Sequence, residues 1–222
     1  MKPVRLNKPA SAPGKLRIIA GRLRGSRLDV ADLPGLRPTS DRVRETLFNW
    51  LAPHLHGARC LDLFAGSGAL GFEAASRGAA SVLMIERDTR AVAALRATAE
   101  RLKVDIVAVH EGDALAWLDA SATPRFDIVF VDPPFADGVI DQSLAMLATW
   151  LTPDAWVYVE SGCDHVPAVP ADWRLHREGR TREVRYALYT RSTIGRSTIG
   201  TLSSVTEAPA TLTPDSEAQK ST

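Results

Sequence analysis

From Ala58 onward, short apolar runs alternate with segments of helical period. Arg59–Phe64 has the pattern of a strand running into a glycine turn, and Ala69–Arg77 that of a helix. Ser81–Ile85 is a second strand, followed by a helix over Thr89–Leu102 with Val92, Leu95, Ala99 and Leu102 on its inner face. Val104–Val109 forms a third strand and Ala114–Leu118 a short helix. Phe126–Val131 is an almost unbroken apolar run, as expected of a strand covered on both faces. Ile140, Leu144, Leu147 and Leu151 mark another helix, and Ala155–Val159 a fifth strand. Trp173–Arg177 and Glu183–Thr190 flank Glu178-Gly179-Arg180 as the arms of a hairpin. The sum predicts an α/β fold: a doubly wound, mostly parallel sheet that finishes in an antiparallel C-terminal hairpin.

Upstream the pattern differs. Residues 15–30 alternate around Gly21 and Gly25, which predicts an N-terminal β-hairpin extension with its turn near Arg22–Gly25. Arg37-Pro38 blocks helix, and Ser40 or Asp41 caps the helix that follows. Its face carries Val43, Leu47, Trp50 and Leu51, and Pro53 is expected to close it. Past Arg191, Ser and Thr dominate and no aromatic occurs, while Arg191–Gly195 repeats verbatim as Arg196–Gly200. Such a segment buries too little apolar surface to offset chain ordering. The expected organisation is a disordered basic leader (1–14), a hairpin-and-helix extension (15–57), the α/β domain (58–191) and a disordered tail (192–222).

Composition adds three constraints. Cys60 and Cys163 are too few and too far apart for a disulfide framework or a thiolate metal site, which suits a reduced, cytoplasmic compartment. No apolar run reaches the length of a membrane span, and the proline-punctuated start has no apolar core of the kind a secretory signal needs. The net charge of +1 conceals eleven Lys/Arg against four acids in residues 1–50, so the body of the chain is mildly acidic. A basic front end of this kind suits a polyanionic partner.

The chemistry sits at two strand ends. Gly66-x-Gly68-x-x-Gly71, with Glu86 after the next strand, satisfies the dinucleotide fingerprint, so a nicotinamide-dependent dehydrogenase competes with other readings. Asp62 separates them. A carboxylate at that strand end repels a pyrophosphate, but it suits the ammonium of S-adenosylmethionine (SAM), which carries no phosphate. Asp113 is placed either to receive an adenine amine or simply to cap the helix beginning at Ala114. Asp132-Pro133-Pro134-Phe135 ends the fourth strand, on the ligand side of an open α/β sheet. An aromatic exocyclic amine is a weak nucleophile because its lone pair is delocalised. A carboxylate at Asp132 and the Pro133 carbonyl, accepting its two N–H groups, favour the pyramidal, positively charged nitrogen of the transition state. The prolines stiffen the loop, and Phe135 offers a stacking face. As an ordinary loop, the same string needs none of this.

At this point the chain resembles the bacterial RsmD family. The likeness is carried by Arg17–Arg27 (Arg-Ile-Ile-Ala-Gly-Arg-Leu-Arg-Gly-Ser-Arg), Arg37-Pro-Thr-Ser-Asp-Arg-Val-Arg-Glu-Thr-Leu-Phe-Asn-Trp50, Asp62–Gly68 and Asp132–Phe135, and it covers about residues 15–191. The Arg37–Trp50 string is its most specific part. The resemblance implies a Rossmann-like SAM-dependent methyltransferase that modifies the N2 amine of a guanine in 16S rRNA, presented on the assembling 30S particle. It implies that Asp62, Phe64, Gly66, Gly68, Glu86 and Asp113 hold SAM, and that Asp132, Pro133 and Phe135 hold the guanine. Arg22, Arg24, Arg27, Arg37 and Arg42 are expected to meet RNA phosphate, with no metal and a monomeric enzyme. A DNA adenine-N6 methyltransferase shares both motifs but usually needs a target-recognition region larger than any insertion here. A protein glutamine-N5 methyltransferase typically opens the four-residue motif with Asn, where this chain has Asp132.

Overall fold

The computed structural model describes residues 16–29, 40–120, 125–134 and 138–191. Arg37, Phe135, the expected leader and the expected tail lie outside the described residues. A two-stranded hairpin, β1 (Leu16–Arg17) and β2 (Arg27–Leu28), precedes α1 (Asp41–Leu55). The main domain then runs β3 (Arg59–Asp62), α2 (Ala69–Ser76), β4 (Ser81–Glu86), α3 (Thr89–Leu102), β5 (Val107–Glu111), α4 (Ala114–Leu118), β6 (Phe126–Val131) and α5 (Val139–Met146). A 3-10 turn over Leu147–Trp150 leads into β7 (Leu151–Gly162), β8 (Trp173–Arg180) and β9 (Val184–Arg191).

The strands order as β5-β4-β3-β6-β7-β9-β8, parallel from β5 to β7 and antiparallel beyond. The order reverses between β3 and β6, where an open α/β sheet leaves its ligand crevice. Helices α1, α2 and α3 cover one face through Phe48, Phe72 and Leu95 over Phe130 and Tyr158. On the other face α4 and α5 bring Leu118 and Leu144 against Val129 and Val157. The mostly parallel sheet with helices on both faces is the fold expected.

Four boundaries differ, each for a local reason. Helix α1 continues through Pro53 to Leu55, whose fully packed side chain anchors the last turn in the core despite the missing N–H. The third strand starts at Val107 rather than Val104. Lys103 takes a left-handed φ of 51° to end α3, and the Val104 N–H turns back to the Ala99 carbonyl while its side chain plugs the core. The fifth strand extends on both sides of Ala155–Val159 and takes in Leu151, which had been placed on the preceding helix. The C-terminal hairpin turns at Thr181–Glu183, where the Thr181 hydroxyl accepts the Glu183 and Val184 N–H groups at 3.2 and 3.0 Å. Gly179 serves a different need, because a Cβ there would lie 2.3 Å from the Tyr186 ring.

A buried clasp ties the N-terminal hairpin to α2. Glu73, fully enclosed, accepts the N–H groups of Ile19 at 2.7 Å and Ala20 at 3.0 Å, and the Arg77 Nε–H at 2.6 Å. The equally enclosed Arg44 lies 3.8 Å from Glu73 and donates to the Arg17 carbonyl at 2.9 Å and Asp41 at 2.6 Å. Three residues on, Ser76 receives the Leu23 N–H on its hydroxyl and the Arg22 N–H on its carbonyl. Gly21 is required at this crossing: with φ at +82°, a Cβ would fall 2.0 Å from the Ser76 oxygen. Leu16, Ile18, Leu23 and Leu28 complete the attachment by entering the core of the α/β domain.

Candidate active site

Four carboxylates share one parity at the C-terminal ends of adjacent strands. Asp62 pairs with Met84 on β4 and with Phe130 on β6. Glu86 and Asp132 follow those two partners by two positions, and the Phe130↔Tyr158 pairing sets Asp132 level with Glu160 of β7. Side chains alternate along a strand, so all four acids stand on the α1–α2–α3 side. They line one cleft of about 1030 Å³ together with Phe64, Gly66, Asp113, Pro133 and Pro134.

Asp62, almost fully buried, accepts the Gly71 N–H at 2.9 Å. Burial, with the nearby charges of Asp132 and Glu86, pushes its carboxyl up to about 7 against the lowering effect of that hydrogen bond. Gly71 is small of necessity, since a Cβ would lie 2.4 Å from Met84 and 3.2 Å from the Asp62 oxygen. Gly66 takes a φ of 51° and donates its N–H to Glu86 Oε2 at 2.8 Å, while Oε1 accepts from Asp88 N–H at 2.8 Å. Each carboxylate oxygen has two acceptor sites, so beyond these bonds Glu86 has room on each oxygen for a ligand hydroxyl.

Gly68 is not among the residues lining the cleft. It opens α2 with a φ of 74°, and a Cβ there would meet Leu95 at 2.5 Å and Phe72 at 2.8 Å. It lets α3 pack close behind the turn. Asp113 caps α4 by accepting the N–H groups of Leu115 and Ala116, each at 3.0 Å, and it also lines the cleft. Asp132 is half-buried and Pro133 buried at the switch point between β3 and β6. Arg22, Arg24, Arg27 and Arg42 are all exposed, the first three on the hairpin and the last on the first turn of α1, and none lines the cleft.

Sequence reasoning missed Glu160. Only 6% exposed, it accepts the hydroxyl proton of the fully buried Tyr158 at 2.7 Å. Burial beside Asp132 raises its carboxyl to about 8. The signal was present: Glu160 breaks the apolar run of β7 just where Asp132 ends that of β6. Also missed were Ser40 and Val43 of α1 and the β8–β9 turn, Thr181–Val184, all of which form the rim.

The donor set fits an adenosyl group with a cationic end. Any diphosphate at this turn would meet Asp62, Glu86 and Asp132, whereas an ammonium gains from them and a ribose finds acceptors at Glu86.

Residues 16–190 match the family described as Conserved hypothetical protein 95. The chain is 48% identical over 190 residues to Ribosomal RNA small subunit methyltransferase D of Escherichia coli (strain K12), covering 84% of this chain and 96% of that protein. The Haemophilus influenzae protein of the same name is 44% identical over 184 residues, covering 81% and 95%. A solved Escherichia coli structure named for a methyltransferase superposes with a TM-score of 0.75 at 46% identity, over 81% of this chain and 99% of that one. An RNA methyltransferase from Salinibacter ruber, solved in complex with S-adenosyl-L-homocysteine, shares the fold, with a TM-score of 0.56 at 20% identity over 71% and 95%.

Proposed function

The chain belongs to the ribosomal RNA small subunit methyltransferase D family, and we propose that it methylates the exocyclic N2 amine of one guanine in 16S rRNA, using SAM. The observation that carries this reading is the placement of Asp132 and Pro133 in the same cleft as Asp62, Gly66 and Glu86. One strand switch holds the cofactor residues and the amine residues side by side.

When bound, SAM supplies a methyl group on an electrophilic sulfonium. Asp62 offers its carboxylate to the ammonium end, Glu86 accepts the ribose hydroxyls and Asp113 receives the adenine amine. Phe64 and the backbone at Gly66 line the walls, and Gly68 acts from behind by setting the turn. Asp132 and the Pro133 carbonyl accept the two N–H groups of the target amine. Both acceptors strengthen as that nitrogen becomes positive, which is where fixed dipoles lower a barrier. Phe135, two positions beyond Pro133, supplies the stacking face. The exposed Arg22, Arg24, Arg27 and Arg42, with Arg37, hold RNA phosphates outside the cleft. The enzyme works as a cytoplasmic monomer on a 30S assembly intermediate, since a short basic module suits a substrate already folded by ribosomal proteins.

The test is to incubate enzyme and SAM with small-subunit particles and naked rRNA from cells lacking this gene, then digest and identify the methylated nucleoside by mass spectrometry. N2-methylguanosine, formed faster on particles, is the expected product. N6-methyladenosine, or label on protein glutamine, would overturn the base assignment. Asp132→Ala is expected to keep SAM affinity within a few fold and to lower turnover by about a hundredfold or more.

A further inference from the structure

We propose that Glu160 reads the N1–H of the target guanine and thereby sets the base specificity of the site. The inference rests on the guanine reading above and adds a residue that the amine chemistry itself does not need. In-register pairing from Ile128↔Trp156 to Val131↔Val159 puts Glu160 beside Asp132, one strand spacing away, or about 4.8 Å between backbones. The two side chains have the same parity and line the same cleft. Tyr158, behind the carboxylate, donates to Oε2 and limits its rotation. Oε1 makes no hydrogen bond among the described residues and is not one of the atoms sealed from solvent without a partner, so it is open to the cleft. A carboxylate fixed through one oxygen and open to the cleft on the other is oriented in advance to receive a ligand donor.

Guanine brings that donor. Its N1–H and N2 amine lie side by side on one edge, so two adjacent acceptors, Glu160 and Asp132, meet two adjacent donors. Adenine places its amine beside an unprotonated N1, whose lone pair would face Oε1. In the ligand-free protein, burial keeps the Glu160 carboxyl raised to about 8. An N1–H arriving at Oε1 favours the ionised form, and an acceptor arriving there opposes it.

Particles are assembled with either guanine or 2,6-diaminopurine at the methylated position, and kcat/KM is compared at pH 8.5, where the carboxylate form prevails. Diaminopurine keeps the N2 amine but lacks the N1–H. Wild type is expected to prefer guanine by at least about tenfold. In Glu160→Gln the side-chain amide rotates to donate to the unprotonated N1. The preference should shrink to within about threefold, chiefly by gain on diaminopurine, with SAM affinity unchanged by calorimetry. Equal wild-type rates on the two bases would overturn the proposal whether or not the variant folds, and so would a Glu160→Gln protein with the wild-type preference. Failure of wild type to methylate guanine-bearing particles at all would instead defeat the functional reading on which the proposal rests.

Discussion

Glu73→Gln is the perturbation with the most legible cost. The substitution keeps the size of a fully enclosed side chain but turns one acceptor oxygen into an NH2 donor. Ile19 bonds to one carboxylate oxygen, and Ala20 and Arg77 share the other. Whichever way the amide rotates, at least one buried N–H faces another donor. Arg44, enclosed at 0% exposure, also loses its buried counter-charge and, among the described residues, keeps only the exposed Asp41 and the Arg17 carbonyl. Breaking a buried pair costs about 3–5 kcal/mol; the partners left to Arg44 place the expected loss near the lower end, about 3 kcal/mol. For a domain of this size that lowers Tm by about 6–12 °C. Thermal melting by circular dichroism reads the global loss. Timed trypsin digestion at Arg22 and Arg24 reads whether the hairpin lifts first. A variant melting within about 2 °C of wild type, with unchanged cleavage, would show that the clasp does not hold the extension.

Gly68→Ala should destabilise the fold by about 1–3 kcal/mol through the clash with Leu95 and the unfavourable φ, while folded protein binds SAM within a few fold of wild type; lost binding at full stability would reverse the assignment of Gly68 to packing. With the Asp62 carboxyl held at about 7, the charge that meets the ammonium fades below that pH, so SAM affinity should fall about tenfold from pH 8 to pH 6; a flat titration calorimetry series would refute this. The same elevation has a folding consequence: stability contributed by protonated Asp62 and Glu160 is present below their unfolded values of 3.8 and 4.5 and is lost as pH rises through about 7 and about 8. Urea midpoints of ligand-free Asp62→Asn and wild type should therefore diverge as pH rises from about 4 to about 7 and differ by a constant amount above that. Reversing Arg22 and Arg24 to Glu should leave Tm unchanged but raise KM for particles about tenfold at moderate salt; an unaltered KM would remove the hairpin from the RNA-binding surface.

Much of this was legible because strands and helices alternate with distinct periods. Helices α3 and α4 and strand β6 begin and end where the pattern put them. Failures arose where long-range packing overrode a local signal. Pro53 usually stops a helix, yet Leu55 finds a buried seat, and Gly179 looked like a turn residue but makes room for Tyr186. The grouping of Asp62, Gly66 and Glu86 in one cleft follows from glycine spacing and strand-end acids. The packing need at Gly68 was not legible because a motif does not say which side of the turn is crowded. Glu160 escaped because its meaning depends on the register between β6 and β7, and Arg44 because residue type does not say which arginine of the Arg37–Trp50 string turns inward. Deleting the basic N-terminal region is consequently a poor test of RNA contact, since Leu16, Ile18, Leu23 and Leu28 belong to the core.

The acidic floor of the cleft has a consequence for how a polyanion engages it. A backbone phosphate brought within about 6 Å of one ionised carboxylate meets roughly 3 kcal/mol of repulsion at an effective dielectric of about 20. A nucleobase carries no such charge and passes without penalty. Exposed Arg87 and Arg182 lie at the rim of the same cleft, where they attract the strand that the floor repels. On the reading proposed above, the cleft would act as a charge sieve on an RNA strand, stopping the sugar-phosphate chain at the threshold while an extruded base crosses it alone.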